Sequence, residues 1–290
     1  MDRSVALRTF FANLVTANAG IPPGSELAAA FASTPREQFV GPAPWKIYTP
    51  GGYIETLSDD PAYLYQDVVV SLGENGPLNN GQPTLHAFCL AALGPLKGRS
   101  VLQVGAGSGY YTTILAKLVG TEGSVDAYEV EENLAERAAK NLAPFRNVTI
   151  HHRSGAEAPL PLCDGIYVNA GCTSPLGVWL DALLPGGRLL FPLTPAEGAG
   201  AMLLITNTGG EGYEARFLCQ AQFVPCVGAR GEKAAQTLQT AFHKGNWREV
   251  RSLHRRAVPP EECWSSGADW WLSTRPLAAK PAASSRDENL

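Results

Sequence analysis

No stretch of this 290-residue sequence is apolar for the roughly 18 residues that a membrane-spanning helix needs. The nearest approach, Leu189 to Ile205, is broken by Pro192, Pro195 and Glu197, so no membrane contact is expected. There is no excess of positive charge either. Lys and Arg number 23 against 27 Asp and Glu, a net charge of −4, which argues against a nucleic-acid binder. Charged residues are scarce at 17% and hydrophobic ones make up 45%, which excludes a disordered chain and provides for a sizeable core. The opening Met1-Asp2-Arg3-Ser4-Val5-Ala6-Leu7 lacks the apolar segment of a secretory leader. The six cysteines (Cys89, Cys163, Cys172, Cys219, Cys226 and Cys263) include no C-x-x-C pair. They read as free thiols in a reducing cytoplasm rather than disulfide partners or zinc ligands, and no metal site is expected.

Glycine and proline are plentiful at 30 and 22, which predicts many turns between short elements. Apolar spacing predicts a helix over 4–18 and a second from the capping Ser25 to about Ser33. A Pro/Gly/aromatic stretch from Thr34 to Gly81 follows, regular only at Val68-Val69-Val70, and loops of that length often carry binding groups. From Pro83 onward helices (84–93, 110–118, 131–142, 176–184) alternate with strands (100–104, 124–128, 148–151, 165–169, 187–191, 201–206, 214–224). That alternation predicts an α/β fold with helices on both faces of a mostly parallel, Rossmann-like sheet. Gly209-Gly210 between the last two strands predicts an antiparallel terminal hairpin. Residues 232–257 read as one or two helices carrying Lys233, Lys244, Arg248, Arg251, Arg255 and Arg256. Four regions are therefore expected: an N-terminal helical and loop region over 1–82, a core over 83–229, a helical Trp-rich extension over 230–275, and a disordered tail over 276–290.

The strongest local signal is Val101-Leu102-Gln103-Val104-Gly105-Ala106-Gly107-Ser108-Gly109-Tyr110. A strand runs through a glycine turn into a helix whose unpaired N–H groups face a ligand. Glu129 ends the next strand, where an acid accepts from both hydroxyls of an adenosine ribose. A dinucleotide fold places its third glycine at position 110, where this chain has Tyr110. G-x-G-x-G followed by an acid-ended second strand instead resembles the S-adenosylmethionine methyltransferase superfamily.

Further segments resemble one family within it, the protein-L-isoaspartate O-methyltransferases, across about residues 30–228. Thr34-Pro35-Arg36-Glu37-Gln38-Phe39-Val40 resembles the family's "PRxxFV" stretch, Tyr65-Gln66-Asp67 its Y-x-D turn, and Gln82-Pro83-Thr84-Leu85-His86-Ala87 its "QPxxxA" or "APHMHA" segment. Leu184-Pro185-Gly186-Gly187-Arg188-Leu189 and Phe223-Val224-Pro225 resemble the late "LxPGGRL" and "FVP" motifs. The resemblance implies a seven-stranded sheet, S-adenosyl-L-methionine as cofactor, and O-methylation of an isoaspartyl or aspartyl carboxylate in a peptide or protein, or of a small acid. It implies cofactor contacts at Leu78, His86, Gln103, Gly105, Ala106, Gly107, Ser108, Gly109, Glu129, Val130, Ser154 and Gly155.

The chain departs from the family's pattern at the acceptor loop and at two cofactor positions. The family's T-I-S is here Asn79, Asn80 and Gly81, so the serine hydroxyl is absent; its Gly-Asp-Gly is Arg153-Ser154-Gly155; its motif acid is Gln103. Asn79 and Asn80 are candidates to hold a carboxylate by their amide N–H groups, beside Gly81 and the motif residue Asp67; the plainer alternative is an Asn-Asn-Gly turn. An ionised carboxylate needs no general base. A neutral alcohol or amine acceptor does, and would draw on Asp67 or His86. A non-catalytic cofactor-binding scaffold and, more remotely, a nicotinamide oxidoreductase remain as alternatives. Trp264, Trp270 and Trp271, with Trp45 and Tyr53, would either lid a pocket or form an accessory core. The oligomeric state is left open.

Overall fold

The computed structural model describes residues 2–73, 77–210, 212–255 and 258–277. Most of the expected tail, together with Arg256, lies outside the described residues. The chain opens with two packed helices, α1 (Arg3–Asn18) and α2 (Glu26–Ala32). Ser25 caps the second by accepting from the Ala28 N–H at 3.2 Å, a bond that contributes about 1 kcal/mol. The Pro/Gly/aromatic stretch then folds into more than a loop. Strands β1 (Lys46–Thr49) and β2 (Gly52–Glu55) form a hairpin. The hairpin continues sideways: Tyr48 N–H donates to the Val69 carbonyl, and Asn80 N–H to the Val70 carbonyl. These ties hold the 78–81 segment in place ahead of α3 (Pro83–Ala92), which begins on proline, the residue best suited to a first helical turn.

The core alternates as its sequence predicts: β3 (Ser100–Val104), α4 (Tyr110–Val119), β4 (Ser124–Glu129), α5 (Glu132–Leu142), β5 (Val148–His152), β6 (Cys163–Val168), α6 (Gly177–Ala182), β7 (Leu183–Leu193), β8 (Gly200–Asn207) and β9 (Gly212–Ala221). Strands β3 to β7 pair in parallel in the order β5-β4-β3-β6-β7, and β8 and β9 add the antiparallel hairpin. The chain leaves β3 toward β4 and β5, then returns to the other side of β3 as β6. That reversal leaves a crevice beyond the carboxyl ends of β3 and β6, where ligands bind in such sheets. The two sheet faces are buried by separate apolar clusters, one built on α1, α3 and α4 and the other on α6, α7 (Glu232–Lys244) and the C-terminal strands.

The C-terminal addition is helical in its first part, α7, and then joins the sheet. Strands β10 (Ser252–Arg255), β11 (Ser265–Ser266) and β12 (Trp270–Ser273) extend it from seven to ten strands, β10 pairing with the edge of β9. Residues 252–255 thus lie in a strand where the basic spacing suggests helix; an open edge on β9 overrides weak helical periodicity. The tryptophans settle as core. Trp264 packs edge-on against Phe217 and Phe242, its indole N–H donating to the Gly245 carbonyl at 3.0 Å, and Trp270 is buried. The six cysteines are free thiols, four of them buried, and among the described residues no helix is long and apolar enough to cross a membrane.

Candidate functional site

At the crevice between β3 and β6 opens a cavity of about 820 Å³. Its floor is the glycine turn, where Gly105, Gly107 and Gly109 all have positive φ. Gly109 shows why: at φ +94° it starts α4, and a Cβ there would stand 2.8 Å from Leu142 Cδ1. The turn is held by the neighbouring strand, since the Tyr128 carbonyl accepts both the Gly105 and Ala106 N–H groups, at 2.9 and 3.0 Å. Glu129 completes the hold. Its Oε2 accepts from Gly107 N–H at 2.7 Å, and its Oε1 from the Val130 and Glu131 N–H groups at 2.9 and 3.0 Å. Burial pushes the Glu129 carboxyl above its ordinary range, against the downward pull of those three bonds. Each carboxylate oxygen has two lone-pair sites, so Oε2 has one left beyond the Gly107 bond.

The opposite wall comes from the 79–81 segment and α3. Asn79, Asn80, Gly81 and His86 line it, and Tyr48 and Tyr53 of the hairpin form its lip. His86 is enclosed. Its ring stacks on Tyr111 at 3.7 Å between centroids, and Nδ1 shares a 2.7 Å hydrogen bond with the Tyr167 hydroxyl. Burial, reinforced by the Arg36 cation, pushes its pKa down to about 3. His86 is therefore neutral at pH 7 and a poor proton acceptor. Its Nε2 lies against Gly81: a Cβ at Gly81 would come within 2.1 Å of it, and the Gly81 backbone sits at φ +70°. The space that a serine side chain would enter is occupied here by an imidazole.

Asn79 closes an Asx turn, its Oδ1 accepting from Gly81 N–H at 2.9 Å. Asn80 is buried; its Oδ1 accepts from Val70 N–H at 2.9 Å and from Arg36 Nη2 at 3.3 Å, while its Nδ2 has no partner among the described residues. Several other polar atoms of the lining are buried without partners: Ser108 Oγ, the Tyr110 and Tyr111 hydroxyls, and Asn169 Oδ1. Such groups cost about 1–3 kcal/mol each unless a ligand satisfies them. All four belong to residues of the cavity lining.

The structure thus gathers Asn79, Asn80, Gly81, His86, Gly105, Ala106, Gly107 and Ser108 around the cavity. Glu129 and Val130 stand at the adjoining end of β4, and Ser154 and Gly155 just beyond β5, outside the cavity lining. Ser154 Oγ donates to the Val227 carbonyl at 3.2 Å, and the Gly155 carbonyl takes the Trp179 indole N–H at 2.8 Å. Leu78 packs beneath the hairpin, and Gln103 is sealed in the sheet with neither amide atom paired. Asp67 lies apart from the cavity lining. Its oxygens accept from Thr84 N–H at 2.8 Å and Gln82 Nε2 at 2.9 Å, which caps the start of α3. Asn169 also lines the cavity, donating to the Gly105 carbonyl at 3.3 Å, although no motif in the sequence marks it. The signal that points to it is position: it stands one residue past the carboxyl end of β6, beside the glycine turn, much as Glu129 stands at the carboxyl end of β4.

Comparison with known proteins gives the family. The profile of protein-L-isoaspartate(D-aspartate) O-methyltransferase matches residues 14–231, about three-quarters of the chain. Among curated relatives, the protein-L-isoaspartate O-methyltransferase of Ignicoccus hospitalis is 31% identical over 206 residues, covering 70% of this chain and 89% of that one. Its counterpart in Brucella anthropi is 34% identical over 163 residues, 52% of this chain and 72% of the relative. A solved Plasmodium falciparum structure assigned to this family, in complex with S-adenosyl-L-homocysteine, superposes with a TM-score of 0.60 at 20% identity, over 76% of this chain and 97% of that one. The chain belongs to the protein-L-isoaspartate(D-aspartate) O-methyltransferase family.

Proposed function

We propose that this protein methylates the free carboxylate of an isoaspartyl residue in a peptide or protein, with S-adenosyl-L-methionine as methyl donor. The observation that carries the acceptor assignment is Asn80: a buried residue of the cavity lining whose Oδ1 accepts two hydrogen bonds within the protein and whose Nδ2 has no partner among the described residues. It supplies the donor that the absent serine hydroxyl would have given. The residues present fit the cofactor. The glycine turn admits close approach, Glu129 keeps an acceptor site for the ribose, and Ser108 and Asn169 hold unused polar atoms nearby.

When bound, S-adenosylmethionine supplies a sulfonium methyl that is already activated, so the protein's work is orientation and exclusion of water. Asn80 Nδ2 fixes one oxygen of the acceptor carboxylate, and Asn79 shapes the turn that presents it. His86, neutral and held by Tyr111 and Tyr167, forms an apolar-faced wall that removes no proton. None is required, because a carboxylate acceptor is ionised at pH 7. Asp67 caps α3 rather than facing the acceptor, which weighs against a neutral acceptor activated by that residue. The free thiols support a reducing, cytoplasmic setting.

The test is a matched peptide pair, one isoaspartyl and one aspartyl, incubated with the protein and S-adenosylmethionine and read by mass spectrometry. The expected product is one base-labile methyl on the isoaspartyl peptide alone. Methylation of neither peptide, with cofactor binding shown in the same sample, overturns the assignment.

A further inference from the structure

Arg36 is fully buried on a short 3-10 turn, Arg36–Gln38, next to the cavity. Its Nη1 donates to the carbonyls of Leu64 and Gln66 at 2.6 and 3.1 Å. Its Nη2 donates to the Val68 carbonyl and, at 3.3 Å, to Asn80 Oδ1. Its Nε has no partner, and its guanidinium lies 5.6 Å from the centre of the Phe11 ring. Every acceptor is neutral, and among the described residues Arg36 makes no ion pair. Asp67 is close enough to favour its charge but spends its oxygens on Gln82 and Thr84.

An arginine keeps its charge in a protein interior, and a buried charge without a counter-ion is costly. A structural tie between the 64–68 segment and the 80 segment would be served by neutral donors. Here the tie is a cation, one bond removed from an amide of the cavity lining whose Nδ2 has no partner among the described residues. A cation bonded to an amide oxygen polarises the amide and strengthens its N–H as a donor.

We propose that Arg36 is a positioning residue that makes the acceptor site selective for an ionised carboxylate, fixing Asn80 through Oδ1 and setting behind it a positive charge that makes no ion pair among the described residues. The proposal rests on the carboxylate-acceptor assignment above and adds the origin of its selectivity. An anion in the cavity would act as its counter-ion across Asn80, beyond the more distant support of Asp67. The same charge reaches the other side of the cavity wall, where it helps to keep His86 unprotonated.

The experiment compares two peptides that differ only at the acceptor, the isoaspartyl α-carboxylate and its carboxamide. Binding to the full chain saturated with S-adenosylhomocysteine is followed by calorimetry. Wild type is expected to prefer the acid by about tenfold or more, the scale of hydrogen bonds to a charged group. Arg36→Met is expected to bring the ratio near one with carboxamide binding unchanged, and Arg36→Lys to restore part of it. Asn80→Asp, which gives Arg36 a counter-ion within the same side-chain shape, is expected to abolish the preference while S-adenosylhomocysteine affinity persists. That variant decides the matter if Arg36→Met does not fold. A purely structural Arg36 lowers both affinities together, and an acid preference that survives in folded Arg36→Met or in Asn80→Asp overturns the proposal. A wild type that binds neither peptide removes the isoaspartyl assignment instead. The proposal is then decided on propionate against propionamide in the same complex, where no preference for propionate overturns it.

Discussion

Restoring the family's serine at position 81 is expected to damage this protein. Gly81 sits at φ +70°, and its absent Cβ would come within 2.1 Å of His86 Nε2. In Gly81→Ser the left-handed backbone costs about 1–2 kcal/mol. The imidazole must also move, giving up its stack on Tyr111 and its bond to Tyr167, about 0.5–1.5 kcal/mol each. The stiffer unfolded chain returns about 0.4–1 kcal/mol, so the net loss of stability is about 1–5 kcal/mol. Urea unfolding of Gly81→Ser, His86→Ala and the double variant measures it. The cycle is expected to show that most of the cost of Gly81→Ser disappears once the imidazole is gone, leaving about 1 kcal/mol of backbone strain. Methyl transfer should also fall in Gly81→Ser although a hydroxyl has been added. An equal cost in both backgrounds, or a Gly81→Ser protein that is as stable as wild type and faster, would refute the steric argument.

Three further outcomes follow from the same geometry. His86 binds a proton near pH 6.5 when unfolded and near 3 when folded, so its stabilising effect is complete above pH 6.5 and is lost as pH falls toward 3. Between pH 7 and 4.5 wild type should lose about 2–3 kcal/mol more unfolding free energy than His86→Asn, and parallel losses in the two proteins would contradict that. Asp67→Ala should lower stability by about 0.5–2 kcal/mol through loss of the α3 cap, with kcat nearly unchanged across pH; a large kcat loss in a protein of normal stability would mean that Asp67 acts as a base. Glu129→Ala should weaken S-adenosylhomocysteine binding by about tenfold to a hundredfold by calorimetry, and wild-type affinity would remove Glu129 from the cofactor site.

Where local pattern and tertiary structure agree, the fold was legible in the sequence. The glycine turn after β3, Glu129 at the end of β4, the Ser25 cap and the Gly209-Gly210 turn between β8 and β9 each carry a local residue pattern that agrees with the contacts made in the fold. The β1–β2 hairpin was not legible. Its strands are four residues long and half exposed, and β1 pairs with residues 69–71, which in turn pair with residues 78–80. Strand β10 was hidden because Ser252-Leu253-His254-Arg255 continues a basic spacing, and only the open edge of β9 makes it a strand. At the site, the motifs placed Asn80 and His86 near the cofactor but held no sign that Arg36 lies beneath Asn80, 44 residues away in the chain. Asp67 belongs to a motif, and a motif does not distinguish a cap from a base; the 17-residue separation from Thr84 conceals the capping bond.

The central claim is that Asn80 holds the acceptor carboxylate. A crystal structure of the protein with S-adenosylhomocysteine and an isoaspartyl peptide tests it most directly. The account predicts a carboxylate oxygen about 2.7–3.1 Å from Asn80 Nδ2, with Asn80 Oδ1 still bonded to Arg36. A peptide whose carboxylate is held elsewhere, with Asn80 Nδ2 left unpaired, would contradict it.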